Sequence, residues 1–415
     1  MVSHSKTSRL RKVILGTAMA TIFASAPAFA DVVKLGLLAP LTGPAAADGQ
    51  EYQRGAQMAI DEVNAAGGIN GHTFELAIGD VKDQSASNVT SAVERLLGDP
   101  DVHFMMTGYA SLSNFEIDNM AEAEMPYMLA ATSQQTKDII APAPDKYGCC
   151  WSLTPSFDAY NTDVTSFAEK LAADGKISLP TKKVAIISSD NAYSKTISEG
   201  MKKTFTEKGW TITVDEIVPF GEVTDWRSIL AKVRENVPDL IINTDYLPGN
   251  SASFLNQFLE QPTKSLVFLQ YAPSVPEFVQ LTGKNSNGVI YNLLGGALTT
   301  PKNPRAAEVA DKFKAKFGVE SGTYGVGLYE IANVYFDALK KVGDPSDHAG
   351  IMKALGETDK QTAQGRLKFD PATHLAMQGD DYIPITFFQI WDGERTLISP
   401  AAYATGEFKI QPWMK

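Results

Sequence analysis

Short apolar runs alternate with segments of helical period, and the alternation happens twice. Residues 32–38 are almost continuously apolar, as a strand covered on both faces must be. Ala56, Ala59, Ile60, Val63 and Ala66 then recur at helical spacing until Gly67 and Gly68 stop them. Residues 73–78 alternate as a strand, residues 89–96 return to the helical period, and strands are predicted at 102–106 and near 127–131. The pattern restarts with a buried strand at 183–187 and a helix at 192–208. A strand at 211–218, a helix carrying Trp226, Ile229, Leu230 and Val233, and a strand at 240–242 follow. Glycine and proline cluster around 294–304, helices are predicted at 305–317 and around 329–341, and the region 366–410 is rich in strands. Such alternation demands parallel sheets wound with helices, here two of them. A chain of 415 residues also exceeds one ordinary core.

Residues 1–30 read differently. Lys6, Arg9, Arg11 and Lys12 precede an apolar run over 13–26, and Ala28-Phe29-Ala30 ends it. That is the form of a cleavable secretory signal, so the mature chain is expected outside the cytoplasm. Removal takes the formal charge from -11 to -15. An acidic chain lacks the basic face that phosphate backbones require, so no nucleic-acid partner is expected.

The familiar catalytic patterns GxSxG, HExxH and GxxxxGK[ST] are absent from the sequence. Gly325-Val326-Gly327 begins like a dinucleotide fingerprint and lacks the third glycine. His72, His103, His348 and His374 show no metal spacing, and no cofactor is expected. Cys149-Cys150 is either two small buried residues before Trp151 or a vicinal disulfide. The bridge would be strained, because neighbouring Cα atoms lie ~3.8 Å apart and disulfides usually span ~4.4–6.8 Å.

Loops after parallel strands collect at the carboxyl edge of a sheet, where α/β folds hold ligands. In the first unit these loops are 108–113, with Ser111 and Ser113, and 130–133, with Ala130, Ala131 and Thr132. In the second unit they hold Asp190, Asn191 and Tyr193, then Asp245 and Tyr246. Small residues with hydroxyl donors beside aromatic walls suit a small organic solute.

Several stretches together resemble one family. They are Lys34-Leu35-Gly36 through Leu41-Thr42-Gly43-Pro44, Gly55-Ala56 with Ala59-Ile60, and residues 64–71. Residues 190–193 and Thr224-Asp225-Trp226 add to them. The chain is similar to the type I periplasmic solute-binding proteins, in the Leu/Ile/Val-binding branch. The resemblance implies two doubly wound α/β lobes joined by three crossing segments that close on a ligand. It places lobe one at 31–153 plus 295–382, and lobe two at 154–294 plus 383–415. It also implies a small-molecule solute, permease subunits of an ABC importer as partner, only peripheral contact with the membrane complex, and a monomer in the periplasm.

By the same resemblance, Ser111 or Ser113 supplies a hydroxyl to a ligand carboxylate, and Ala130, Ala131 and Thr132 contact the head group. Tyr193 and Tyr246 lie over the ligand, and Tyr324 forms an aromatic wall. Two departures stand out. Tyr271 occupies the position of the acid that pairs with a ligand ammonium, and Asp48 stands where branched-chain binders often have an aromatic. Either Asp48 or Asp245 replaces the missing acid from another wall, or the ligand lacks an ammonium, as an aromatic acid or small amide does. A ligand-sensing receptor subunit and an exported enzyme are the alternatives from other classes.

Overall fold

The computed structural model describes residues 1–4, 31–111, 113–131 and 134–415. Most of the expected leader and Thr132 lie outside the described residues. Strands β1 (Asp31–Ala39), β2 (His72–Asp80), β3 (Val102–Thr107), β4 (Tyr127–Leu129) and β5 (Cys150–Ser152) form one sheet. Its order is β2-β1-β3-β4-β5, and every neighbouring pair is parallel. The second sheet begins with β6 (Lys183–Ser189), β7 (Thr211–Val218), β8 (Leu240–Asn243), β9 (Leu266–Leu269) and β10 (Ile290–Leu294). A separate hairpin, β11 (Asp359–Thr362) and β12 (Gly365–Lys368), precedes β13 (Ile385–Trp391) and β14 (Glu394–Ser399). The second sheet runs β14-β13-β10-β9-β8-β6-β7.

The architecture is thus two α/β lobes, each on a mainly parallel sheet, as the alternation of apolar runs requires. The one difference is at the edge of the second sheet, where β13 and β14 pair antiparallel. An antiparallel edge strand needs no crossover helix, so the chain there passes from β13 to β14 through a tight turn. The strands are buried on both faces: Leu35, Leu37, Ile186, Ile241 and Val267 are all fully covered.

The chain passes between the sheets after β5, after β10 and before β13. After β10 it returns to the first lobe, where the Thr323–Val342 helix lies against the Ala46–Ala65 helix. Glycine makes this contact possible. A Cβ on Gly55 would stand 2.0 Å from the Gly325 carbonyl oxygen. The abortive nucleotide-like GxG is therefore a packing device: Gly325 meets the neighbouring helix, and Gly327 faces Ala130. Gly55→Ala is expected to lower unfolding free energy by about 1–3 kcal/mol, because overpacking outweighs the better helix propensity of alanine. Denaturant unfolding measures this, and an unchanged or raised stability would show that the helices are not in backbone contact.

The close approach sets the site. It brings Tyr52 and Tyr324 edge to face at 4.8 Å, and it carries Asp48 and Glu51 to the junction between the lobes.

Candidate functional site

A cavity lies between the carboxyl edges of the two sheets. The first lobe supplies Tyr109, Ser111 and Asn114 after β3, Ala131 after β4, and Tyr324 from its long helix. The second supplies Ala192 and Tyr193 after β6, Tyr246 after β8 and Tyr271 after β9, with Phe157 from the first crossing. Thus Ser111, Ala131, Tyr193, Tyr246, Tyr271 and Tyr324 are brought together. Asn114 and Ala192 are additional, because local spacing does not show which loop residue faces inward.

Three predicted residues sit elsewhere. Ser113 is exposed and does not line the cavity. Ala130 turns its methyl toward Gly327 and gives its N–H to the Thr107 carbonyl, so it packs the lobe. Asp245 faces the start of its following helix, accepting from Leu247 N at 3.0 Å and Asn250 Nδ2 at 2.7 Å. It therefore does not replace the missing acid. The hydroxyl of Tyr193 accepts from Gln270 Nε2 at 3.1 Å, so that residue presents mainly its ring.

Asp48 lies directly behind the wall and is 3% exposed. Its carboxylate accepts from the hydroxyls of Tyr109, on its own lobe, and Tyr271, on the other, the second at 2.8 Å. Tyr271 has φ 58° and ψ −54°, and Ala272 N donates to the Gln270 carbonyl at 2.6 Å. This is a γ-turn of the uncommon, strained hand, a conformation found where function holds it. Two further ties cross the junction. Thr323 Oγ1 donates to Ser274 Oγ at 3.2 Å. Arg395 binds the Pro273 and Val275 carbonyls at 2.9 and 3.2 Å and reaches Glu320 at 3.6 Å.

Burial raises the acids here. Desolvation pushes Asp48 up to about 6 against the hydrogen bonds from Tyr109 and Tyr271. It pushes Glu51 up to about 7, although Gly322 N at 2.6 Å and Gly325 N at 3.2 Å donate to that carboxylate. Asp245 rises to about 6 by burial as well. Folded values above unfolded ones mean that the folded chain holds the extra protons. The contribution of these acids to stability is therefore fully present below about pH 4 and is lost as pH rises to about 7. His103, His348 and His374, lowered by burial, contribute with the opposite sign, so the expected result is read as a difference: between about pH 4 and pH 7 the unfolding free energy of Glu51→Gln falls less steeply, or rises more, than that of the parent chain. Urea titrations at several pH values check it, and an identical pH slope in the variant would contradict the assignment.

Cys149 and Cys150 are both buried free thiols with Sγ atoms 2.7 Å apart. His103 and His348 meet each other at 3.3 Å. Among the described residues no group of three or more His, Cys, Asp or Glu could hold a metal. No described helix is long and apolar enough to cross a membrane.

The family model described as periplasmic binding protein matches residues 32–393. The chain belongs to that family. It is similar to Leu/Ile/Val-binding protein homolog 8 of Brucella abortus (strain 2308), 27% identical over 404 residues that span 92% of this chain and 96% of that one. It is also similar to Leu/Ile/Val-binding protein BraC3 of Rhizobium johnstonii, 25% identical over 88% of this chain and 95% of that one. Among solved structures, a putative branched-chain amino acid ABC transporter from Silicibacter pomeroyi superposes with a TM-score of 0.81. Identity there is 31%, and the match covers 92% of this chain and 100% of that one. LivJ of Streptococcus pneumoniae, solved in complex with isoleucine, shares the fold with a TM-score of 0.73 at 22% identity, over 89% of this chain and 100% of that one. Periplasmic binding proteins are solute-binding proteins of ABC transporters that work outside the cytoplasm, and this member is a binding protein, not an enzyme.

Proposed function

We propose that this periplasmic binding protein captures a small amino-acid-like, carboxylate-bearing solute between its lobes and delivers it to the permease subunits of an ABC importer. The observation that carries this reading is the cavity at the facing sheet edges, walled by both lobes and closed by Tyr271 reaching Asp48. Lobe one is taken as residues 31–153 plus 295–382, and lobe two as 154–294 plus 383–415, with the three passages as the hinge. Closure about such passages is the common switching motion of two-lobed binders. The leader-like residues 1–30 support export to the periplasm, and the protein acts there as a monomer.

Two features favour an amino-acid-like solute over a simple anion. No Lys, Arg or His is among the described lining residues, and Asp48 already places negative charge behind the wall. A bare carboxylate ion would meet repulsion without a counter-charge. The test is a thermal-shift screen of amino acids, amides and aromatic acids on the purified protein. A solute at 100 times its Kd adds about 2.7 kcal/mol of stability. If no small solute raises the melting temperature, the transport reading fails.

A further inference from the structure

The wall of the cavity is unusual in what it leaves available. Both Asp48 oxygens are taken, one by Tyr109 and one by Tyr271. A solute therefore feels the Asp48 charge through the tyrosines, without a free carboxylate edge to donate to. The Ser111 hydroxyl proton is committed to Glu116. What the wall offers is six rings: Tyr109, Tyr193, Tyr246, Tyr271, Tyr324 and Phe157. Neighbouring rings stand 5.1–5.8 Å apart at 52–86° to one another, so they form crossed walls and not a stack. A cation is attracted to ring faces, and hydroxyls that donate to a carboxylate make their rings richer in electrons. Among the described lining residues, the buried Tyr246 hydroxyl has no hydrogen-bond partner.

A primary ammonium brings three N–H groups that each need an acceptor. A fully methylated ammonium brings none, and its charge is spread over methyl groups that fit against rings. We propose that the cavity selects a betaine-type zwitterion, whose N-methylated ammonium sits among the tyrosine rings with Asp48 as the counter-charge behind them. Its carboxylate accepts the Tyr246 hydroxyl. This assignment rests on the reading above that the cavity is the solute site, and it names the chemical class.

The experiment is calorimetric titration of the purified full chain with matched pairs. Glycine betaine is set against glycine, and γ-butyrobetaine against 4-aminobutyrate, with leucine and benzoate alongside. The methylated member of at least one pair is expected to bind about tenfold or more tighter than its unmethylated partner. Asp48→Asn is expected to lower the affinity for that betaine by about tenfold or more. If Asp48→Asn does not fold, Tyr324→Leu takes its place, since loss of a ring should weaken the betaine and spare leucine. Leucine or an unmethylated partner binding as tightly as the betaines would overturn the assignment and leave the solute-binding reading standing. Benzoate binding tightest would overturn it too. No binding by any of the six would overturn the assignment as well, and the solute-binding reading would fall with it only if the thermal-shift screen were also blank.

Discussion

Tyr271→Phe is expected to weaken solute binding by about ten- to a hundredfold, the roughly 1.5–3 kcal/mol of a hydrogen bond to a charged group. The phenol of Tyr271 crosses from the second lobe to Asp48 on the first. That contact exists only when the lobes are together, so its whole energy favours the closed state. A ligand that binds the closed state loses apparent affinity in proportion to the closed fraction. Phenylalanine keeps the ring against Tyr324, now 5.7 Å away, and so isolates the hydroxyl. The γ-turn adds weight to the assignment. A backbone at φ 58° costs on the order of 1–3 kcal/mol, and the surrounding structure must hold it there. Calorimetry reads the affinity, and small-angle scattering of the solute-free protein reads the opening. Unchanged affinity and radius would mean that the tie does not control closure.

How much of this was legible depends on the range of the interaction. The strands were, because a strand covered on both faces must be apolar throughout, and residues 183–187 and 240–242 say so locally. β5 was not: Cys150-Trp151-Ser152 is three residues long and has no period to read. The antiparallel turn of β13 and β14 was hidden for a related reason, since strand direction leaves no mark on a period of two. The long helix starts at Thr323, well before the predicted stretch, because Gly325 and Gly327 look like breakers and serve as contact points.

At the site, sheet-edge logic brought Tyr193 and Tyr246 into view, since a loop after a parallel strand points to one edge, and the family resemblance added Tyr271 and Tyr324. It could not show which groups were already engaged. Asp245 is consumed by its own helix start, Ala130 by Gly327, and the Tyr193 hydroxyl by Gln270. Those partners lie two to nearly two hundred positions away, and only the folded chain decides among them. The same holds for Asp48, whose role depends on Tyr271 arriving from the other lobe.

Arg305→Leu is expected to cost about 3–5 kcal/mol of stability, the price of leaving a buried charge without its partner. Glu330 is completely buried, on the long helix of the first lobe. Arg305 meets it with two parallel bonds, Nε to Oε1 at 2.7 Å and Nη2 to Oε2 at 3.0 Å. Ala363 N donates to the same Oε1 at 2.9 Å. One carboxylate therefore joins the first turn of the Pro304–Phe317 helix, the Thr323–Val342 helix and the turn between β11 and β12. The asymmetry of burial fixes which side hurts more. Arg305 is 28% exposed and can be rehydrated if Glu330 is removed, whereas Glu330 has no access to water once Arg305 is gone. Glu330→Leu should accordingly cost less than Arg305→Leu. The double variant should recover much of the loss, because an apolar pair of similar size replaces a buried ion pair at little or no cost. Denaturant unfolding of the three variants tests the order. Equal losses in both single variants, simply adding in the double, would show that the two side chains do not act as a pair.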